Sequence, residues 1–282
     1  MKQKNKFKLM LAAGVVLITL AVTLGSGAAR RAIAPAGIRV PVIMYHHMLK
    51  DTTKLGRYTI SPAMFESDLT YLKEHGYESI TVGQLIDHAE TGAPLPEKPV
   101  LLTFDDGYES FYTYAWPLLK QYGFKATLSI IGVYSDRYSE NPDHHVNYSH
   151  VTWDEVAEMA ADGTVEIACH SYDMHREGGP RRGAKRMKGE TTEQYRTALT
   201  ADIERFQTQL EKCLGARTVI YTYPFGNVSE EALPILKELG FKAALICYEK
   251  PNYFTGSKEE LYSILRFNRT PNKDVAELVG HE

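Results

Sequence analysis

Two adjacent carboxylates, Asp105 and Asp106, end the apolar run LLTFDDGY at residues 101–108. Neighbouring like charges repel, so a chain that keeps both has a use for them. Asp-Gly is also strong turn chemistry, and on this fragment alone a turn and a catalytic site explain the pair equally well. His170 and His175 lie five apart in HSYDMH, and His46 and His47 are adjacent in VPVIMYHHM. One carboxylate with two imidazoles is a common donor set for a divalent metal with open positions; zinc, cobalt, nickel and iron(II) all accept it. On a helix a five-residue step would turn the two histidines roughly 140° from each other. They therefore belong on a strand end and the loop after it. A hydrolytic metal site also needs a base, because the metal acidifies a water and a free carboxylate takes the proton. Adjacent Asp residues suit this division, one ligating and the other free. The leaving group then needs an acid, and His46 and His47 are the other strand-end histidines.

The elements that would hold these residues alternate. VPVIMYH, KPVLLTF, KATLSIIG, TVEIACH, RTVIYTYPFG and FKAALICY read as apolar strands. Between them lie helical patterns. SPAMFESDLTYLKEHG has Ser61 at the N-cap, Pro62 in the first turn and Gly76 at the stop. YTYAWPLLKQYG and SEEALPILKELG are further helices, and TWDEVAEMAADG carries a capping box from Thr152 to Glu155. TTEQYRTALTADIERFQTQLEKCLG is a long helix with no internal Gly or Pro. Such alternation argues for an α/β fold with a parallel sheet. A (β/α) barrel is favoured over an open sheet, because no Gly-rich phosphate loop follows the first strand. In that fold chemistry sits at the C-terminal ends of the strands, where His46, Asp105, His170 and Pro224-Phe225-Gly226 would share one rim.

Composition sets the frame. The 282 residues, 44% hydrophobic, suffice for one large core. A formal charge of −3 gives no reason to expect nucleic acid or a strongly polyanionic partner. Cys169, Cys213 and Cys247 form no metal-type pair; buried thiols are expected, with a single disulfide as the alternative. The basic MKQKNKFK precedes an uncharged stretch from Leu9 to Ala29, and Ser26-Gly27-Ala28 suits a cleavage site. This predicts export, with residues 1–29 a signal peptide or a membrane anchor, 30–39 a linker, and 40–282 one catalytic domain. The product would be extracellular or at the cell surface. No protein partner is inferred.

From about Val40 to Arg269 the chain resembles the polysaccharide deacetylases of carbohydrate esterase family 4, the NodB-homology domain. TFDDG looks like that family's first motif, HSYDMH its second and YPFG its third. The resemblance implies a distorted (β/α) barrel and metal-assisted hydrolysis of N-acetyl groups. It makes Asp105 the base and Asp106, His170 and His175 the ligands of a divalent metal, zinc first, with cobalt, nickel or iron as alternatives. Tyr223, Pro224 and Phe225 would line the substrate groove, the Phe225 amide helping to hold the oxyanion. Tyr172, between the two ligands, is a candidate for stacking on a sugar, as are Tyr108 and Tyr112.

The departures point to one branch. Most of the family spaces its two histidines four apart. Its third motif usually carries an Arg that braces the base, where Tyr221 or Thr222 stands here. Its late Leu-x-x-His is missing. The early Tyr-His, the five-residue spacing and ILRFNR resemble the branch that deacetylates poly-β-1,6-N-acetylglucosamine. On that analogy His46 is the acid, with His47 second, and Arg266 or Arg269 replaces the brace. Expected partners are an amino-sugar polysaccharide and, if the anchor is retained, a membrane. The alternatives are a peptidoglycan or chitin-type deacetylase, an O-acetyl esterase, or a non-catalytic polysaccharide-binding or adhesion protein on the same fold. The basic GGPRRGAKRMKGE is read as a solvated loop, or as a contact for an anionic polymer or membrane. NPDHHVNYSH, with His144, His145 and His150, is read as a surface loop, with a groove wall or a second metal site as alternatives.

Overall fold

The computed structural model describes residues 37–280. The hydrophobic segment expected over 1–29 and the linker as far as residue 36 lie outside them. The end of the expected linker is part of the fold. Ile38–Val40 pairs antiparallel with Asn252–Phe254, so ordered structure begins before Val40.

The main sheet has nine strands, numbered here in chain order: β1 (Val42–Tyr45), β2 (Glu78–Ile80), β3 (Pro99–Phe104), β4 (Ala126–Ile130), β5 (Val165–Cys169), β6 (Ile220–Thr222), β7 (Ala243–Ile246), β8 (Ile264–Leu265) and β9 (Phe267–Asn268). Their order is β8-β7-β6-β5-β4-β3-β1-β9, with β2 also on β3, and every ladder is parallel. Only Arg266 separates β8 from β9. Since β8 pairs with β7 and β9 with β1, the chain itself bridges the two ends of the sheet. The result is a nearly closed (β/α) barrel, as the alternation predicted.

Strand alternation aims the side chains. On one face Ile43, Tyr45, Leu102, Phe104, Leu128 and Ile130 pack against helices. On the other, Val42, Leu101, Ala168, Ile220, Leu245 and Ile264 fill the barrel. Continuing each inner row one step toward the C-terminal rim reaches a polar layer. Thr103 and then Asp105 follow Leu101, His170 follows Ala168, Thr222 follows Ile220, and Arg266 follows Ile264. β3 is buried at all six positions, which is why it reads as a continuous apolar run.

The helices are α1 (Pro62–Glu74), α2 (Val82–Thr91), α3 (Trp116–Tyr122), α4 (Gly132–Glu140), α5 (Trp153–Ala161), α6 (Thr192–Leu214), α7 (Ala232–Glu238) and α8 (Val275–Gly280). Ser61 caps α1 by accepting from the Met64 amide, and Thr152 and Glu155 form the expected capping box on α5. α6 buries Tyr195, Leu199, Ile203, Phe206 and Leu210, one stripe of its surface. The helix expected across YTYAWPLLKQYG starts as a π turn, Phe111–Ala115, before becoming α3. Nothing in the sequence pattern marked α2, α4, α8, β2, β8 or β9. The last two are two residues each, too short to show a period.

Candidate active site

The rim at the C-terminal ends of β1, β3, β5 and β6 holds a cavity of about 490 Å³, lined by His46, Asp105, Asp106, His170, His175 and Phe225 among others. Among the described residues three non-glycines have positive φ, and all stand here: Asp106 (74°), Ser171 (74°) and Phe225 (57°). Left-handed backbone is costly for residues with a Cβ, and clusters where structure must over-determine a site. Each follows a strand-end residue of the site, where the chain must turn at once. The Asp-Gly turn is thus also real. Gly107 has φ 73°, and a Cβ there would lie 3.0 Å from Ile130 Cγ2.

Asp106 Oδ1 stands 3.5 Å from His170 Nε2 and 3.3 Å from His175 Nε2. It is buried and has no hydrogen-bond partner. His170 Nδ1 lies 2.8 Å from the Thr222 carbonyl oxygen. A nitrogen facing a carbonyl carries the hydrogen, so Nδ1 donates and the Nε2 lone pair faces the cluster. Two ligands of a four-coordinate zinc stand roughly 3.3 Å apart. The three residues therefore fit a divalent cation and would hold it if it bound. Electrostatics agree. Burial opposes the charge of Asp106, but His170, His46 and His175 outweigh it and hold its carboxyl far below the carboxylate range. Burial, then the His170 charge, push His175 down to about 4. For His170 burial lowers the pKa, but Asp106 and Asp105 outweigh it and raise it.

Asp202 of α6 holds the loop between the two histidines. Its Oδ2 accepts from the Tyr172 amide and its Oδ1 from the Asp173 amide, both at 2.8 Å. This support had no signal in the sequence, because Asp202 lies mid-helix and far from any motif.

Asp105 does not point at the histidines in this way. Its two oxygens accept from Arg266 Nη1 (2.7 Å) and Nη2 (2.8 Å). Arg266 is 0% exposed and Asp105 2%. Burial works against the Asp105 charge, but Arg266 outweighs it and holds the carboxyl below its ordinary value. Arg269 is a different matter. It forks onto Asp68 instead, at 2.8 and 3.0 Å, away from Asp105. Of the two arginines expected to brace Asp105, Arg266 pairs with it and Arg269 does not.

The two early histidines separate as well. His46 lines the cavity, packs against Tyr58 at 4.7 Å between ring centres, and its Nδ1 is buried without a partner. Burial holds its pKa below the ordinary value, against the pull of Asp105 and Asp106. His47 is occupied on both nitrogens, by Ser110 Oγ at 2.8 Å and the Asn147 carbonyl at 3.3 Å.

Among the expected groove residues only Phe225 lines the cavity; its ring lies 4.2 Å from that of His175. Tyr223 and Pro224 are buried beneath it. Tyr172 is buried too, its hydroxyl donating to Asp136 at 2.6 Å and its ring under Arg205. It lines a separate cleft of about 580 Å³ with Asp202 and Arg205. Tyr172, expected to stack on a sugar, therefore faces that cleft and not the cavity that holds His170 and His175. Tyr112 instead donates to Glu158. Tyr108 does line the cavity, and Arg57, Tyr58, Glu249 and Cys247 join it without any motif to announce them. All three cysteines are free. The basic loop is not simply solvated: Arg181 pairs with Glu190 and Arg186 with Glu231. Arg182 lines the cavity.

A parallel barrel whose rim brings together an arginine-paired carboxylate, three residues that could hold a metal and an imidazole nitrogen without a partner is a candidate hydrolytic site. Comparison with known proteins gives the class its family. The polysaccharide deacetylase family model matches residues 92–244, more than half of the chain, and the chain belongs to that family. The poly-beta-1,6-N-acetyl-D-glucosamine N-deacetylase of Escherichia coli (strain K12) is 26% identical over 219 residues, covering 71% of this chain and 32% of that protein. The protein of the same name from Staphylococcus aureus (strain MRSA252) is 26% identical over 204 residues, covering 72% and 66%. The chain thus spans about a third of the first relative's length and just under two thirds of the second's. Among solved structures, a de-N-acetylase from Aggregatibacter actinomycetemcomitans superposes with a TM-score of 0.72 at 26% identity, covering 86% of this chain and 98% of that one. IcaB from Ammonifex degensii gives 0.70 at 26%, covering 86% and 97%.

Proposed function

We propose that this chain is a metal-dependent N-deacetylase of an exported N-acetylglucosamine polysaccharide, with the β-1,6-linked polymer as its substrate. One observation carries the reading. The buried Asp105–Arg266 pair stands beside the Asp106, His170 and His175 donor triplet, in one cavity with the unpartnered His46. The names of the relatives support the choice of polymer. The basic and apolar N-terminus supports action outside the cytoplasm, with residues 1–29 as signal or anchor.

When bound, the divalent cation supplies a Lewis acid for the acetyl carbonyl and lowers the pKa of the attacking water. Asp105, kept ionised by Arg266, accepts that water's proton. His46 delivers a proton to the amide nitrogen as the C–N bond breaks, leaving acetate and a free amine. The Phe225 amide, at the cavity rim, is the candidate donor to the oxyanion. Tyr58, half exposed on the cavity wall, offers a face for a sugar ring.

The test is acetate release from defined N-acetylglucosamine oligomers, β-1,6 beside β-1,4, with added metal and with chelator. Chelator-sensitive release confined to β-1,6 oligomers is expected. Release from β-1,4 chains alone would move the substrate to a chitin or peptidoglycan type. No release from any of them, with metal bound, would make this a binding protein.

A further inference from the structure

A second group of donors lies apart from the catalytic cavity. Glu109 follows the TFDDG turn, Glu155 sits in the first turn of α5, and His144 comes from the loop at 141–150. One ligand atom from each lies within 4.8 Å of the others. His144 Nδ1 is 3.0 Å from Glu155 Oε1 and 3.5 Å from Glu109 Oε1.

An ordinary ion pair does not account for this group. Two carboxylates share one imidazole, and that imidazole is 56% exposed while the Glu109 side chain is only 3% exposed. The other Glu155 oxygen, Oε2, is spent on the capping box, accepting from the Thr152 amide (2.8 Å) and hydroxyl (2.9 Å). Glu109 Oε2 is buried with no hydrogen-bond partner. An unsatisfied buried carboxylate oxygen is expensive, and a half-exposed histidine compensates weakly.

We infer that Glu109, Glu155 and His144 form a second, structural cation site, which takes a divalent transition metal such as zinc or manganese and fastens the 141–150 loop to the wall of the catalytic cavity. The donor set argues for that class. Two carboxylates and an imidazole suit borderline cations, whereas calcium asks for six to eight oxygens. The position argues for the role. The same loop meets Tyr108 of the cavity wall and two residues outside that wall at three further points. The Glu109 amide donates to the Ser149 carbonyl at 2.8 Å, Tyr108 bridges to His150, and the Asn147 carbonyl meets His47. A cation at Glu109 would lock this arrangement from the side where His144 now reaches it, and so fix Tyr108 in the cavity wall.

The experiment strips the full chain with chelator, reloads it with excess zinc or, separately, manganese, removes free metal by gel filtration, and counts metal per chain by mass spectrometry. Thermal unfolding is followed alongside. Two equivalents are expected in the wild type, one in His144→Ala, one in the isosteric Glu109→Gln, and one in Asp106→Asn. His144→Ala should also lose part of the metal-induced rise in Tm while its remaining equivalent stays bound. A single equivalent in the wild type would overturn the inference. So would two equivalents retained in both His144→Ala and Glu109→Gln, which would put the second ion elsewhere. Because the readout is metal content, it stands or falls separately from the deacetylase reading.

Discussion

Arg266 and Asp105 meet as a buried fork, two parallel N–H···O contacts joining residues 161 apart in sequence. Arg266 is also the residue at which the sheet closes, between the strand paired to β7 and the strand paired to β1. Barrel closure and the state of the Asp105 carboxyl are therefore one structural fact. A fork of this kind fixes both carboxylate oxygens in direction and keeps them ionised.

Replacing Arg266 separates those two effects. Arg266→Met leaves a buried carboxylate unpaired, which should cost about 3–5 kcal/mol of stability. Arg266→Lys keeps a charge but loses the fork. It should fold nearly as well, yet hold Asp105 less firmly as a carboxylate, so the acid limb of kcat/KM should move to higher pH. An unmoved acid limb in the Lys variant would mean that the fork does not set the state of Asp105.

The two adjacent carboxylates should fail differently. Asp105→Asn should lower acetate release by about 10²–10⁴-fold, the usual worth of a general base, while metal content stays at the wild-type level. Asp106→Asn should lose the metal at the His170 and His175 site, since Asp106 Oδ1 is the oxygen that both Nε2 atoms face. Wild-type turnover in Asp105→Asn would remove it from the role of base.

The early histidines form a similar contrast. His46→Gln should reduce kcat by about 10²–10⁴-fold with little change in Tm, because its Nδ1 has no partner to lose. His47→Gln should mainly cost stability, about 1–3 kcal/mol, since Ser110 and the Asn147 carbonyl lose a buried partner. If the kcat loss fell on His47 and spared His46, the acid would have to be reassigned.

The residues that gather in the candidate site were legible where they were written consecutively at strand ends. TFDDG, HSYDMH and YPFG each carry a strand end and its turn in one short stretch, so type and position could be read together. The brace was not legible in this way. Arg266 and Arg269 are three apart, and on an extended chain an odd step puts two side chains on opposite faces. One had to aim inward and the other outward, but strands of two residues leave no pattern to say which. The direction of Tyr172 was illegible for the opposite reason. Its place between two ligands suggested a site residue, yet the left-handed turn at Ser171 reverses its direction, and nothing in the sequence marks a positive φ at a serine. Tyr58 and Asp202 reach the site from segments remote from every motif, by tertiary packing alone.

Those two tyrosines give a direct check on the cavity wall. Tyr58 is 50% exposed and lines the cavity, so Tyr58→Ala should raise KM for oligomers by about 2- to 12-fold, the worth of roughly 0.5–1.5 kcal/mol of stacking. Tyr172→Phe removes only the hydroxyl contact to Asp136 and should leave KM unchanged while lowering Tm. A KM effect from Tyr172→Phe, with none from Tyr58→Ala, would put the sugar in the other cleft.

His150 supplies a pH dependence whose sign is fixed. Its ring lies among Tyr108, Tyr134 and Tyr138, with centres 4.8, 4.4 and 5.7 Å away. Burial, the largest influence, pushes its pKa from 6.5 down to about 4, against the pull of Asp106. Above about pH 6.5 the ring is neutral in both folded and unfolded chains, and its contribution is fully present. As pH falls from about 6.5 to about 4, the unfolded chain takes up a proton that the folded chain refuses, and up to about 3 kcal/mol of stability is lost. Phenylalanine fits the same aromatic stack and does not titrate. Chemical denaturation of wild type and His150→Phe across that range should show the variant gaining on the wild type by about this amount as the solution becomes more acid. A difference that stays constant with pH would show that the folded chain protonates His150 as readily as the unfolded one, and that burial does not keep it neutral.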